Sequence, residues 1–234
     1  MINTYETTIS NLQKKGRVLM IRLEFEKGTQ FSFTPGQFIM VNYKDAQGEF
    51  KRSYSIASDP EHKHYLELCV SLKEGGRGSA LLAKVKKGSK LTINGPFGAF
   101  HLEDKKGEII LIAGGTGISP LRSMLKHLLN IKYPHKTYLF YSFKTEDDYL
   151  YREEFEKLAK ENKNFVFVPI STQPGPKWKG EKEYVQKIFK KYAKGTKDKD
   201  IYACGPVPMV DAVFQELKGF GFNDEQLHRE IWTV

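Results

Sequence analysis

The sequence predicts two domains of different class: an N-terminal six-stranded antiparallel β-barrel and a C-terminal parallel α/β sheet of Rossmann-like type. Three observations carry this. Residues 1 to about 101 read as short strands between turn signals, with β-branched and aromatic residues alternating with polar ones. From about residue 106, apolar runs alternate with helix-period segments four times, the grammar of a parallel sheet covered on both faces. Between them the polar stretch HLEDKKGE, residues 101–108, reads as a linker, which sets the expected domains at 1–101 and 106–234.

Taken in order, YETTISNLQKK (5–15) and RVLMIRLEFE (17–26) are strands separated by Gly16. QFIMVNY (37–43), RSYSIAS (52–58), YLELCVSL (65–72) and SKLTING (89–95) follow, with one short helical stretch, SALLAKV (79–85). Six strands at this spacing fit a small barrel. In the second half EIILIA (108–113) is a continuous apolar strand that leads through a glycine-rich turn into the helix SPLRSMLKHLLN (119–130). Then come TYLFYSF (137–143), the helix YREEFEKLAKE (151–161), FVFVPIS (165–171) and the helix KEYVQKIFKKY (182–192). DIYACG (200–205) and the helix PMVDAVFQELKGF (208–220) complete the alternation.

Composition narrows the function. A chain of 234 residues has length enough for two packed cores. No apolar run reaches the length needed to cross a bilayer, and MINTYETTISNL lacks the layout of a signal peptide, so a cytoplasmic location without membrane insertion is expected. Cys69 and Cys204, the only cysteines, follow no ligand spacing, which excludes an iron–sulfur cluster held by four cysteines of this chain. The six histidines are scattered, and no metal site is expected. The net charge of +9 comes from lysines spread over many turns. They read as a solvated surface, with an acidic protein as the partner such a surface suits. No basic stripe interleaved with aromatics points to nucleic acid.

The chemistry is concentrated at three stretches. In AGGTGISPL, Gly114, Gly115 and Gly117 let the backbone approach a pyrophosphate, and the positive end of the following helix adds to the attraction. Pro120 suits the first helical position, where no amide hydrogen is needed. In RSYSIAS, Arg52 supplies a fixed cation for a phosphate. Tyr54, two residues on, offers a flat ring from the same face of the strand. In LKEGGRGSALL the turn Gly75–Gly78, with Ser79 as the helix cap, makes a second anion site.

RSYSIAS, AGGTGISPL and YACGPVPMV, in this order, resemble the ferredoxin–NADP reductase superfamily across essentially the whole chain. The resemblance implies a flavin-binding barrel followed by a nicotinamide-nucleotide domain. It places Arg52 on the flavin phosphate, Tyr54 against the isoalloxazine, Ser55 near flavin N5, and Ser53 within the same motif. It assigns Gly76, Gly78 and Ser79 to the flavin pyrophosphate, and Leu68, Cys69 and Val70 to the adenine side. FAD is preferred over FMN, because two separated phosphate-binding segments suit a pyrophosphate; some similar oxygenase reductases with a GGRG turn use FMN. For the nicotinamide nucleotide it implies Gly115, Thr116, Gly117, Pro120, Ser171, Lys182, Tyr184, Cys204, Gly205 and Pro206, with Cys204 beside nicotinamide C4. Ser171, Lys182, Tyr184 and Gln186 match the NADP pattern of the plant-type members, so NADPH is preferred over NADH. Thr172 stands where that pattern has arginine, and Lys177 or Lys179 is the available substitute. The tail LHREIWTV resembles the plant-type ending, with Glu230 at the catalytic position and Trp232 covering the flavin; Thr233 and Val234 depart from it. Read as bare residues, Cys204 is a small core side chain and the tail a final strand with a packed Trp.

The implied function is hydride transfer from NAD(P)H to FAD, followed by single electrons to a separate carrier, ferredoxin or flavodoxin. The alternatives are the reductase of an oxygenase or of free flavin, and a nucleotide-binding subunit that senses redox state without turnover.

Overall fold

Alternation of apolar side chains builds the first sheet. Along β2 (Val18–Phe25) the buried residues are Leu19, Ile21, Leu23 and Phe25, and along β3 (Phe38–Asp45) they are Ile39, Val41 and Tyr43. With β1 (Thr4–Lys15), β4 (Gly48–Ser55), β5 (Tyr65–Ser71) and β6 (Lys90–Phe97) they form a six-stranded antiparallel sheet in the order β4-β3-β6-β1-β2-β5. The outer strands meet at the single bridge Ile56–Leu68, which brings the two ends of the sheet together. Beyond that bridge no ladder joins β4 to β5 among the described residues. The core inside includes Ile9, Leu23, Phe31, Ile39, Ile56 and Leu66, all at or below 1% exposed. The computed structural model describes residues 3–103, 107–192 and 194–232, with the side chains of Lys190 and Trp232 outside the description.

The chain divides into two compact units, Met1–Leu102 with Arg122–His127, and Glu103–Leu121 with Leu128–Val234. In the second, every side chain from Ile109 to Ala113 of β7 (Glu108–Gly114) is buried, as a strand covered on both faces requires. It is followed by α2 (Ile118–Asn130), β8 (Thr137–Phe143), α3 (Arg152–Glu161), β9 (Phe165–Ser171), α4 (Val185–Tyr192), β10 (Lys199–Pro206), α5 (Val207–Gly219) and β11 (Leu227–Trp232). The five strands lie in the order β11-β10-β7-β8-β9, all parallel. Helix α5 packs through Val210, Val213, Phe214 and Leu217, one stripe of a 3.6-residue period. Burying each such side chain contributes roughly 1.5–3 kcal/mol.

Three boundaries differ from the sequence expectation, and the tail forms the final strand that its bare residues suggest. Strand β4 starts at Gly48, not Arg52, because it pairs with β3 from Asp45–Gly48 up to Phe38–Ser55. The helix of the first unit, α1, spans Arg77–Leu82 rather than starting at Ser79. Helix α4 begins at Val185, so Lys182 and Tyr184 precede it. The tail backbone is a fifth parallel strand, with Cys204 opposite Glu230 and Pro206 opposite Trp232.

Candidate functional site

In the first unit, alternation puts Phe50, Arg52 and Tyr54 on one face of β4. The Tyr43 hydroxyl donates to that of Tyr54 at 3.1 Å, and the Tyr43 ring stacks on Phe50 at 5.2 Å. The guanidiniums of Arg52 and Arg77 lie 5.0 and 4.1 Å over the Phe50 ring. Arg77 is taken up by Asp45 through bonds of 2.9 and 2.6 Å, which hold the Asp45 carboxyl below the usual carboxylate range. Arg52, exposed, donates to the Lys51 carbonyl at 2.8 Å and has no carboxylate partner among the described residues. Burial raises the Tyr43 phenol, with Tyr54 adding to the shift, so both groups stay neutral at ordinary pH.

The first turn of α1 closes this cluster. A Cβ added to Gly78 would lie 3.2 Å from Arg52 Cγ and 3.3 Å from the Tyr54 hydroxyl. A cationic side chain, a flat ring and the backbone of that turn are therefore packed together at Gly78, where any larger residue would force its neighbours to shift by a few tenths of an ångström. That donor set fits a flavin nucleotide, with its phosphate and its ring. Ser79 does not cap the helix. Gly76 holds the N-cap position, and the Ser79 hydroxyl, inside the first turn, accepts from the Lys73 amide at 2.8 Å. Leu68 and Val70 point into the barrel core, so a ligand meets only their backbone; Cys69 is also buried. Ser53 is exposed and Ser55 half-buried at the end of β4.

In the second unit, β8 and β9 lie on one side of β7 and β10 and β11 on the other. The carboxyl ends of β7 and β10 thus flank the topological switch point, where ligands of open parallel sheets bind. Gly115 and Thr116 are the accessible residues of the turn, and Gly115 takes a left-handed φ of +54°. Gly117 serves packing instead, since an added Cβ would run into the Cys204 carbonyl oxygen. Pro120 is the third residue of α2, not the first. It still falls in the first turn, and the Thr116 carbonyl accepts from the Ser119 hydroxyl at 3.0 Å.

Cys204 is fully buried, and its thiol lies 3.7 Å from Glu230 Oε2. Burial, then the Glu230 charge, pushes this thiol well above its ordinary pKa, which favours the neutral, hydrogen-bond-donating form. Gly205 is buried and Pro206 half-buried beside it. The side chain of Trp232, and Thr233 and Val234 altogether, lie outside the described residues.

Ser171, at the end of β9, is fully buried, and its hydroxyl donates to the Lys144 carbonyl at 2.7 Å. Lys182 and Tyr184 are exposed, Tyr184 at 57%, and Gln186 is half-buried. Lys177 and Lys179 are exposed on either side of Trp178, which is buried edge-on to Phe143 and donates to the Glu181 carbonyl at 2.8 Å. Sequence reasoning missed Tyr43, Phe50 and the Asp45–Arg77 pair. Phe50 was detectable, because it precedes Arg52 by two on the same face; Tyr43 and Asp45 belong to another strand. Among the described residues no group of three His, Cys, Asp or Glu side chains is placed to hold a metal, and no helix is long and apolar enough to cross a membrane.

Residues 7–102 match the oxidoreductase FAD-binding domain family and residues 111–215 the oxidoreductase NAD-binding domain family. The chain is 33% identical over 195 residues to the F subunit of the Na(+)-translocating NADH-quinone reductase of Idiomarina loihiensis, covering 76% of this chain and 48% of that protein. It thus spans about half the length of that curated relative. It is 32% identical over 218 residues to ferredoxin–NADP reductase B of Sorangium cellulosum, with 89% of each chain covered. Among solved structures, the Amycolatopsis cytochrome P450 reductase GcoB superposes with a TM-score of 0.88 at 24% identity, over 100% of this chain and 71% of that one. With a barrel and a parallel sheet in this order, and a reductase of nearly equal length matching over 89% of each chain, the chain belongs to the ferredoxin–NADP reductase superfamily.

Proposed function

We propose that this protein is a cytoplasmic NAD(P)H oxidoreductase that holds FAD on its first unit and delivers electrons to a separate acidic carrier, ferredoxin or flavodoxin. The observation that carries the reading is the close packing of Arg52 and Tyr54 against the first turn of α1 at Gly78. FAD, when bound, supplies the redox chemistry: it takes two electrons as hydride and gives them up singly. Arg52 neutralises the flavin phosphate, and the amides of Gly76, Gly78 and Ser79 receive the pyrophosphate. Tyr54 lies against the flavin ring, its hydroxyl held by Tyr43, and Ser55 faces the N5 edge. The backbone of Leu68, Cys69 and Val70 borders the adenine.

On the second unit, Gly115 and Thr116 with the start of α2 and Pro120 receive the coenzyme pyrophosphate, and Gly117 seats that turn against Cys204. Cys204, with Gly205 and Pro206, shapes the nicotinamide end, its thiol hydrogen-bonded to Glu230 at the catalytic position. The carrier reading is supported by the net charge and by the cations Lys14, Arg17 and Lys73, which border the same first-unit cleft as Gly75, Gly76 and Ser79 of the flavin turn, with Glu74 paired to Arg17 at 3.5 Å.

NADPH is the coenzyme if Lys182 and Tyr184 hold a 2′-phosphate. NADH is the second reading, favoured by Ser171, whose hydroxyl is buried and already bonded to Lys144, and by Thr172 in place of arginine. The test starts with colour: the purified protein is yellow and bleaches with NAD(P)H without oxygen. Lys182→Ala then lowers kcat/KM for NADPH and leaves NADH unchanged; equal losses for both remove the phosphate role and leave NADH. A colourless protein that takes up no FAD overturns the reading.

A further inference from the structure

Arg122, in the part of α2 that belongs to the first unit, is 6% exposed and has no role in the reading above. Its Nη1 donates to the Ala57 carbonyl at 2.6 Å and to Glu67 Oε2 at 2.8 Å. The other Glu67 oxygen accepts from Nε and Nη2 of Arg22 at 3.2 and 2.8 Å. Burial works to raise the Glu67 carboxyl, but the two guanidiniums outweigh it and hold it below the usual range. Arg22 and Arg122 both pair with Glu67, so Glu67 keeps a cation without Arg122; of the two, Arg122 is the one bonded to the Ala57 carbonyl.

Ala57 lies where the chain changes neighbours. Ser55 pairs with Phe38 of β3, and the Ile56 amide donates to the Gln37 carbonyl at 3.0 Å while Ile56 bridges Leu68 of β5. The Ala57 amide donates to the Glu67 carbonyl at 2.8 Å. At this crossing the backbone has left one ladder and touches the next at single points, so regular pairing no longer fixes it. A buried guanidinium, rigid and always charged, holds the carbonyl instead. We propose that Arg122 is a positioning residue for the flavin motif: by holding Ala57 it fixes Ser55, two residues back, and with it the surroundings of the flavin edge. The last clause rests on the proposed function, in which Ser55 faces that edge.

The test uses the full chain with Arg122→Met, which keeps the volume and leaves Glu67 paired with Arg22, and Arg122→Lys, which keeps a cation without the planar fork. Three things are measured: amide hydrogen exchange at residues 55–58 in flavin-free protein, visible circular dichroism of the FAD-loaded protein, and single-turnover flavin reduction. In Arg122→Met, exchange at 55–58 is expected to rise about tenfold while β2 and β3 stay protected. The flavin dichroism changes, and the limiting reduction rate falls about tenfold at an unchanged coenzyme Kd. Arg122→Lys recovers part of each. Unchanged exchange and dichroism in either folded variant overturn the proposal. So does exchange that rises throughout the barrel, or a rate loss that only follows lost FAD. Should Arg122→Met not fold, Arg122→Lys decides, and wild-type exchange at 55–58 in that variant overturns it. A wild-type protein that takes up no FAD defeats the proposed function and leaves the exchange experiment standing, so the two failures are distinguishable.

Discussion

At the scale of single residues, Gly78 separates stability from ligand binding. A methyl group there meets Arg52 Cγ at 3.2 Å and the Tyr54 hydroxyl at 3.3 Å, so both side chains must move by a few tenths of an ångström. Within α1 the same change favours the helix by up to about 1 kcal/mol. Gly78→Ala is therefore expected to keep the melting temperature and to weaken FAD about tenfold, near 1.4 kcal/mol, read by flavin fluorescence titration. Equal losses in both would make Gly78 a folding residue. Glu67 makes the opposite case, a residue whose charge is worth stability. Its folded pKa is depressed, so its contribution is present above the ordinary carboxyl value of about 4.3 and is lost as pH falls through the folded value. Glu67→Gln removes the partner of two arginines, one of them buried, and should cost roughly 3–5 kcal/mol at pH 7. Urea midpoints of wild type and variant should then converge as pH falls below about 4. A gap independent of pH would show that the carboxylate charge is not what matters. These two positions differ in legibility. Gly78 sits in a motif visible in the chain, whereas Glu67 reads as an ordinary polar position of an alternating strand.

At the scale of elements, the ends of β7 and β10 illustrate how a motif glycine acts through packing. Gly117 touches the Cys204 carbonyl, so the turn after one strand is seated on the end of its neighbour. In Gly117→Ala two backbone segments must separate, and overpacking of this kind costs about 1–3 kcal/mol. The expected outcome is loss of NAD(P)H binding, measured by equilibrium titration, with FAD content retained; unchanged coenzyme affinity would refute the seating. Most elements were legible because their signals are local. The stripe Val210, Val213, Phe214 and Leu217 announces α5 without any knowledge of what it packs against. The start of β4 was not legible, because its first residues, Gly48–Lys51, are strand only by virtue of pairing with β3. Helix α1 begins two residues early for a similar reason: Ser79 turns back to the Lys73 amide, and the N-cap falls to Gly76.

For the whole molecule, a charge of +9 sets how it meets other proteins. If the cleft of Lys14, Arg17 and Lys73 helps attract an acidic carrier, the rate of carrier reduction should fall steeply between low salt and 1 M, where the Debye length is ~3 Å. Reduction of a neutral quinone, followed in the same stopped-flow series, should change little. Parallel salt profiles for both acceptors would dismiss steering. Reversing Lys73 to Glu should lower the carrier rate at low salt and leave the quinone rate alone.

The sequence by itself determined the two classes of sheet, the order of their elements and the places of the three motifs. Periods of two and of 3.6 residues, glycine turns and fixed cations are properties of neighbouring residues, so the bare chain displays them. Only the tertiary structure decided what those residues are committed to. It turned Ser171 inward onto Lys144, set Gly117 against Cys204, gave Arg77 to Asp45 while leaving Arg52 without a carboxylate among the described residues, and placed the tail strand beside β10. Each of these is a meeting of segments far apart in the chain. Such a meeting depends on how whole sheets pack, and no local pattern encodes it.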